Sequence, residues 1–367
     1  MTLALPPIGT DGPPIGTHKT AAFDPLLTDV EAEQVVRLCE TYGSHRMYSA
    51  QRVDPGPSST LQIGQGLGQR HDSVLNFLRT GGRRGETEEP IAVRAARTNY
   101  FREDYAYGNE VRAPGIEPYL HHEGFLEAAR ALFGRPIVEP AIVFANLLVP
   151  GQELAVHTDV PEFRGCNRKA MPQWLLVAMH HSGLFESWRM PIATGVAWYH
   201  DCDGGEFTYW PQGADGPSVS HQVTYNTALL MDTDSVFHGV DPVARPCPTD
   251  GGGGGRDEQP FPPLKPGMTL DAVGAGRWAV HAPGEPRSEV ASYKWEQLRF
   301  SVSWKAYCFT DEAERDRWRL HRDVLTVGDV VSRLVEDLRD RGLIEGDVPA
   351  NPELELLMID SYIHFPA

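Results

Sequence analysis

The tripeptide His157-Thr158-Asp159 is the segment of this chain best suited to chemistry. On a β-strand, residues two apart point to the same face, so this spacing sends an imidazole and a carboxylate into one space. The run 154–160 reads as such a strand, with Ala155, His157 and Asp159 facing inward and Leu154, Val156, Thr158 and Val160 on the opposite side. A second imidazole is expected from His238, which follows the apolar run TALLM and an Asp-rich turn and alternates with Val236 and Val240. Two nitrogens and one carboxylate on one triangular face suit non-haem iron(II), because three coordination positions stay open. His321-Arg322-Asp323 repeats the spacing inside RDRWRLHRDVL. That context reads as helix, where residues two apart diverge by about 200° and cannot share a metal. His221 and His281 are weaker candidates than His238, since neither closes a strand after so apolar a run.

A second chemical element is the alternating segment RFSVSW, which places Arg299, Ser301 and Ser303 on one face. A guanidinium pointing inward from a core strand is costly unless it meets an anion. Its planar fork matches a carboxylate, and a neighbouring serine hydroxyl can add a hydrogen bond. A protein carboxylate would satisfy it equally, and Arg245 competes for the same role from a loop rich in proline. His180 and His181 close the strand-like run QWLLVAMHH, from which one of them could reach a substrate or cosubstrate. Arg164 could hold a substrate carboxylate from a loop over the cavity mouth. Trp198, Tyr199, Tyr209 and Trp210 read as core and rim aromatics, and His121-His122 as surface residues near a helix start.

These residues need a scaffold, and the pattern along the chain supplies one. Residues 1–20 repeat PPIGT and read as a flexible leader. Thr28 and Glu31 form a capping box for a helix that Gly43 ends. Residues 54–90 look loop-rich apart from a short helix over 73–79. A strand is predicted over 91–101 and a helix over 123–133, stopped by Gly134. From residue 137 onward, short strand-like runs recur between turn residues, the pattern of an antiparallel sandwich or barrel. An insertion over about 244–296 contains five consecutive glycines, Gly251–Gly255, and one possible strand over 277–281. Its length makes it a candidate lid. Helices are predicted over about 311–345, where Val327, Val330, Val331, Leu334 and Leu338 form an apolar stripe. No composition break divides residues 21–367, so one domain with a core at about 137–309 is expected.

With 367 residues, 41% of them hydrophobic, the chain can bury a large core. Its formal net charge of −17 repels phosphate backbones and anionic lipid, so neither nucleic acid nor a membrane surface is an expected partner. No apolar run approaches the roughly 20 residues of a membrane span, and no secretory signal is visible. The five cysteines are scattered without a Cys-x-x-Cys pair, which suggests reduced thiols and a cytoplasmic location.

Taken as a set, His-x-Asp, a distant His and then Arg-x-Ser resemble the iron(II)/2-oxoglutarate-dependent oxygenases. Asn146, the Pro150-Gly151 turn, the Gly204-Gly205-Glu206 turn and the run HGVDPV resemble their prolyl-hydroxylase-like branch. The resemblance covers about residues 137–309. It implies a mainly β fold with flanking α-helices around a double-stranded β-helix (jelly-roll, cupin-like) core. It further implies Fe(II) held by His157, Asp159 and His238, with 2-oxoglutarate as cosubstrate and its distal carboxylate on Arg299 and Ser301. The implied reaction is oxidation of a C–H bond, hydroxylation first, in a small molecule such as an amino acid or natural-product intermediate, with release of succinate and CO2. Asp159 disfavours halogenation, because halogenating relatives lack this carboxylate. The interval of about 60 residues between His238 and Arg299 departs from the family, where the two lie much closer. The alternative is a cupin-type dioxygenase or isomerase that does not use 2-oxoglutarate and gives Arg299 a protein partner.

Overall fold

The computed structural model describes residues 20–48, 70–82, 89–108, 110–243, 261–284 and 286–366. All but the last residue of the proposed leader, the glycine run Gly251–Gly255 and Arg245 lie outside the described residues.

Eight strands build the core: Ile137–Leu148, Leu154–His157, Ile192–Trp198, Phe207–Tyr209, Val219–His221, Thr227–Met231, His238–Val240 and Arg299–Phe309. Four of them form the centre of a large antiparallel sheet, in the order 227–231, 192–198, 299–309, 137–148. The other four form a small sheet, in the order 219–221, 207–209, 238–240, 154–157. The chain passes back and forth between the two sheets, which is the connectivity of a jelly roll.

The large sheet continues past 137–148 through Phe101–Tyr107 and Ser44–Met47, then through Thr269–Gly274, Arg277–Ala282 and Ser288–Lys294. The long interval between His238 and Arg299 therefore adds three strands to the far edge of this sheet, where the sequence predicts one. The chain then re-enters at Arg299, between 137–148 and 192–198.

Alternation along the two central strands sorts their side chains. Val143, Ala145, Leu147, Phe300, Val302, Trp304 and Ala306 pack in the core beneath the helices Asp29–Tyr42, Glu117–Leu120 and Glu123–Phe133. There Phe125 stacks on Trp304 at 5.2 Å, and the Trp304 indole donates to the Leu120 carbonyl at 2.7 Å. The opposite face, with Phe144, Asn146, Leu148, Arg299, Ser301, Ser303 and Lys305, lines a cavity between the sheets. Thr28 and Glu31 make the expected capping box, and Gly134 closes the Glu123–Phe133 helix in the left-handed conformation.

Three local expectations are corrected, and one helix is added. The run QWLLVAMHH is the helix Gln173–Ser182, begun after Pro172 and closed by Gly183. Every residue from Gln173 to His180 is buried, so apolar side chains surround the helix and leave no period to read. The run 91–101 divides into the helix Ile91–Arg97 and a strand that starts at Phe101. Three alanines and two arginines favour helix there over strand. His321 and Asp323 lie between the helices Glu312–Arg319 and Val327–Asp340 with φ of 50° and 53°, so the second His-x-Asp is a turn rather than a helix. A further helix, Glu353–Tyr362, follows the predicted C-terminal ones and buries Leu354, Met358 and Ile359. Among the described residues, no helix is long and apolar enough to cross a membrane.

Candidate functional site

The cavity between the two sheets has a volume of about 450 Å³. His157 ends one strand of the small sheet, and His238 begins its neighbour directly opposite. Their ring centroids are 4.4 Å apart. Between these residues and the Leu154–Val240 pair the register shifts, because three steps on one strand face two on the other. This bulge turns Leu154 toward the cavity, against the simple alternation expected for 154–160.

Each imidazole is fixed by its own chain. His157 Nδ1 lies 2.7 Å from the Ala155 carbonyl, and His238 Nδ1 lies 2.9 Å from that of Val236. A carbonyl only accepts, so Nδ1 carries the proton in both rings and the Nε2 lone pairs face each other's side of the cavity. Asp159 sits just beyond the strand, where its N–H donates to the Thr233 carbonyl at 2.8 Å. Its Oδ1 lies 3.8 Å from His157 Nε2 and 3.9 Å from His238 Nε2. Its Oδ2 accepts from Lys305 Nζ at 2.7 Å and from the Thr233 hydroxyl at 2.6 Å, which Thr194 backs at 2.8 Å. One ligating atom from each of the three residues falls within 4.8 Å of the others. Lys305 and Thr233 together engage one carboxylate oxygen and leave the other to the cluster.

The protonation states fit a cation. Burial pushes the His157 imidazole well below its ordinary value, helped by His238 and Arg70, and burial lowers His238 against the pull of Asp159. Burial alone would raise Asp159, but Lys305 and the two imidazoles outweigh it and hold the carboxyl well below the usual range. Two neutral imidazoles and an ionised carboxylate are the donor set of an open iron(II) site.

Arg299 lies in the same cavity and is 2% exposed. Its Nε donates to the Gly205 carbonyl at 2.6 Å and its Nη1 to Ser301 Oγ at 3.3 Å, while Nη2 is buried with no partner among the described residues. Burial lowers its pKa to about 10, against Cys202, Glu206 and Asp241, and it remains a cation at neutral pH. Gly205 has φ +68°, and a Cβ there would come within 2.8 Å of Arg299 Cδ. The glycine thus permits the close approach of the guanidinium. A buried cation with one unused edge is the arrangement a ligand carboxylate would complete.

The other predicted residues lie elsewhere. His221 stacks on Trp198 at 4.9 Å, and His281 bonds Asp271 at 2.6 Å on the added strands. His180 Nε2 meets Ser235 Oγ at 3.0 Å, and His181 Nε2 meets Thr158 Oγ1 at 3.3 Å, behind the cluster and not in the cavity wall. Arg164 is buried against the Ser187 carbonyl and Asp323, so it braces a turn and does not face substrate. The sequence reading missed Lys305 and Thr233. Lys305 could have been found, because it continues the alternation of Arg299, Ser301 and Ser303 by one step. Thr233 carries no such signal within its turn.

No family model and no curated protein matches the chain. Solved structures of similar outline include a prolyl-4-hydroxylase from Pseudomonas putida, 12% identical over 80% of this chain and 95% of that one, with a TM-score of 0.36. HygX from Streptomyces hygroscopicus, solved with nickel, 2-oxoglutarate and hygromycin B, is 10% identical over 80% of this chain and 84% of that one, at a TM-score of 0.37. The 2-oxoglutarate-dependent epimerase SnoN of nogalamycin biosynthesis is 9% identical over 81% of this chain and 83% of that one, at 0.39.

Proposed function

We propose that the chain is an iron(II)- and 2-oxoglutarate-dependent oxygenase that hydroxylates a C–H bond of a small molecule. In this reading His157, Asp159 and His238 hold the metal, and Arg299 and Ser301 hold the distal carboxylate of 2-oxoglutarate. The observation that carries it is the placement, in one cavity, of an open His-Asp-His face and a buried guanidinium with a free edge. The cupin-type alternative would give Arg299 a protein partner, and Nη2 has none among the described residues.

Iron(II) held by His157, Asp159 and His238 would supply activation of dioxygen, one oxygen atom going to the substrate C–H bond and the other to 2-oxoglutarate, which would leave as succinate and CO2. The chain's own residues position and exclude. The Ala155 and Val236 carbonyls hold both imidazoles in the tautomer that presents Nε2. Lys305 and Thr233 restrict Asp159 to one free oxygen. Leu148, Phe207 and Val240 line the cavity with apolar surface, which strengthens the pairing of Arg299 with a carboxylate. A small molecule such as an amino acid or natural-product intermediate suits a cavity of about 450 Å³. The buried thiols of Cys39, Cys166, Cys202 and Cys308 support a reducing, cytoplasmic setting.

The test is anaerobic titration of the iron(II)-loaded protein with 2-oxoglutarate, followed by exposure to oxygen. Visible charge-transfer absorption that needs both components, then succinate formation, is the expected result. Stoichiometric iron binding without either signal would favour the cupin-type alternative.

A further inference from the structure

The chain is strongly acidic, with a formal charge of −17, yet its cavity is not. Among the described residues, Arg70, Arg102, Arg168, Arg299 and Lys305 line it against the carboxylate of Asp159. Three of these cations are matched within the protein. Arg70 holds Asp72 through two bonds of 3.1 and 3.0 Å, and Arg102 holds Asp104 at 2.8 Å while lying 3.6 Å over Phe144. Lys305 holds Asp159. Arg299 Nη2 is buried with no hydrogen-bond partner among the described residues, and Arg168 lines the cavity and enters no ion pair among them.

Arg168 is half-buried in the loop that follows the Phe163–Cys166 bridge. The next residue, Lys169, lies 5.4 Å over the Tyr107 ring. Tyr107 is paired with Ile142 across the large sheet, and Ile142 with Lys305, so this loop covers the row whose lysine holds Asp159. Arg168 therefore faces the cavity near the level of the metal-type cluster, well along the strand from Arg299.

We propose that the substrate carries an anionic group, a carboxylate or a phosphate, and that Arg168 binds it. The inference rests on the oxygenase reading for what else fills the cavity. A dianionic cosubstrate would offer one carboxylate to the metal and the other to Arg299, which leaves Arg168 without a carboxylate partner among the described residues. A half-buried guanidinium without a carboxylate partner attracts an anion, and its fork orients either a carboxylate or a phosphate. The apolar neighbours Ile142 and Phe144 would pack the rest of the molecule.

Matched probe pairs test this by ligand-observed NMR on protein loaded with zinc(II) and saturating 2-oxoglutarate: phenylacetate against phenylacetamide, and phenyl phosphate against phenol. The charged member should bind about tenfold more tightly than its neutral partner. Arg168→Gln should reduce that preference to within about twofold, and Arg168→Lys, which keeps the charge but loses the fork, should retain only part of it. The pair with the larger preference identifies carboxylate or phosphate as the group. Equal binding of charged and neutral members, or a preference that survives Arg168→Gln, overturns the proposal. An Arg299→Leu protein without 2-oxoglutarate separates the two readings, because a preference that depends on Arg168 there stands even if the cosubstrate never binds. Failure of wild-type protein to bind 2-oxoglutarate removes the oxygenase reading alone.

Discussion

The two walls of the cavity are organised in opposite ways. On the small sheet, His157 and His238 are held by carbonyls of their own strands and face one another, so the wall is complete before any ligand arrives. On the large sheet, Arg299 is fixed at its Nε and Nη1 but ends in a buried nitrogen without a partner among the described residues. Short-range bonds preorganise the first wall. Burial preorganises the second and leaves it electrostatically unfinished, which is what a site for an incoming anion requires. Lys305 joins the walls, reaching from the large sheet to Asp159.

The sharpest way to break the comparison is to remove one member of each wall. His157→Ala should abolish stoichiometric iron(II) binding, read by equilibrium dialysis, while thermal unfolding shows the fold retained. Retained stoichiometric binding would mean that the metal lies elsewhere. Arg299→Leu should do the converse, keeping iron while weakening 2-oxoglutarate by about 100-fold or more, since a buried ligand carboxylate would lose its charged partner. Calorimetric titration of the cosubstrate checks this. If iron affinity fell in parallel with that of 2-oxoglutarate, the walls would not be independent.

How much of this was readable follows from how local each signal is. The His-x-Asp, His238 and the Arg299–Ser301 face depend on strand alternation, which two or three neighbouring residues express, and the structure brings them into one cavity. The Gln173–Ser182 helix failed because total burial erases the period that separates helix from strand. The second His-x-Asp is set aside by a turn at His321 and Asp323, although the helical context RDRWRLHRDVL had suggested another reason. The strands over 269–294 are only partly visible in the sequence, and the one that joins them to the sheet, Thr269–Gly274, pairs with Ser44–Met47, far away in sequence. Thr233 illustrates the limit. Its hydroxyl matters through Asp159, a contact across 74 positions that no pattern around Thr233 reveals.

Two smaller effects sharpen the contrast. Lys305→Met should weaken iron(II) by about 10–100-fold, the usual cost of losing a partner that orients a ligand. Thr233 would still engage Asp159, so the metal site should persist in weakened form. A loss confined to 2-oxoglutarate would instead place Lys305 with the Arg299 wall.

Gly205→Ala probes that wall without removing a charge. Gly205 is left-handed, at φ +68°, and its carbonyl accepts from Arg299 Nε while its α-carbon faces Arg299 Cδ. An alanine there costs about 1–2 kcal/mol in backbone strain. It also brings Cβ to 2.8 Å from Arg299 Cδ, so the guanidinium must shift. The shift should lower 2-oxoglutarate affinity by about tenfold and leave iron(II) affinity unchanged, because neither imidazole nor Asp159 depends on Gly205. An equal loss of both would mean that backbone strain spreads through the small sheet. That outcome would remove the distinction between a wall fixed by its own strands and one held open by close packing.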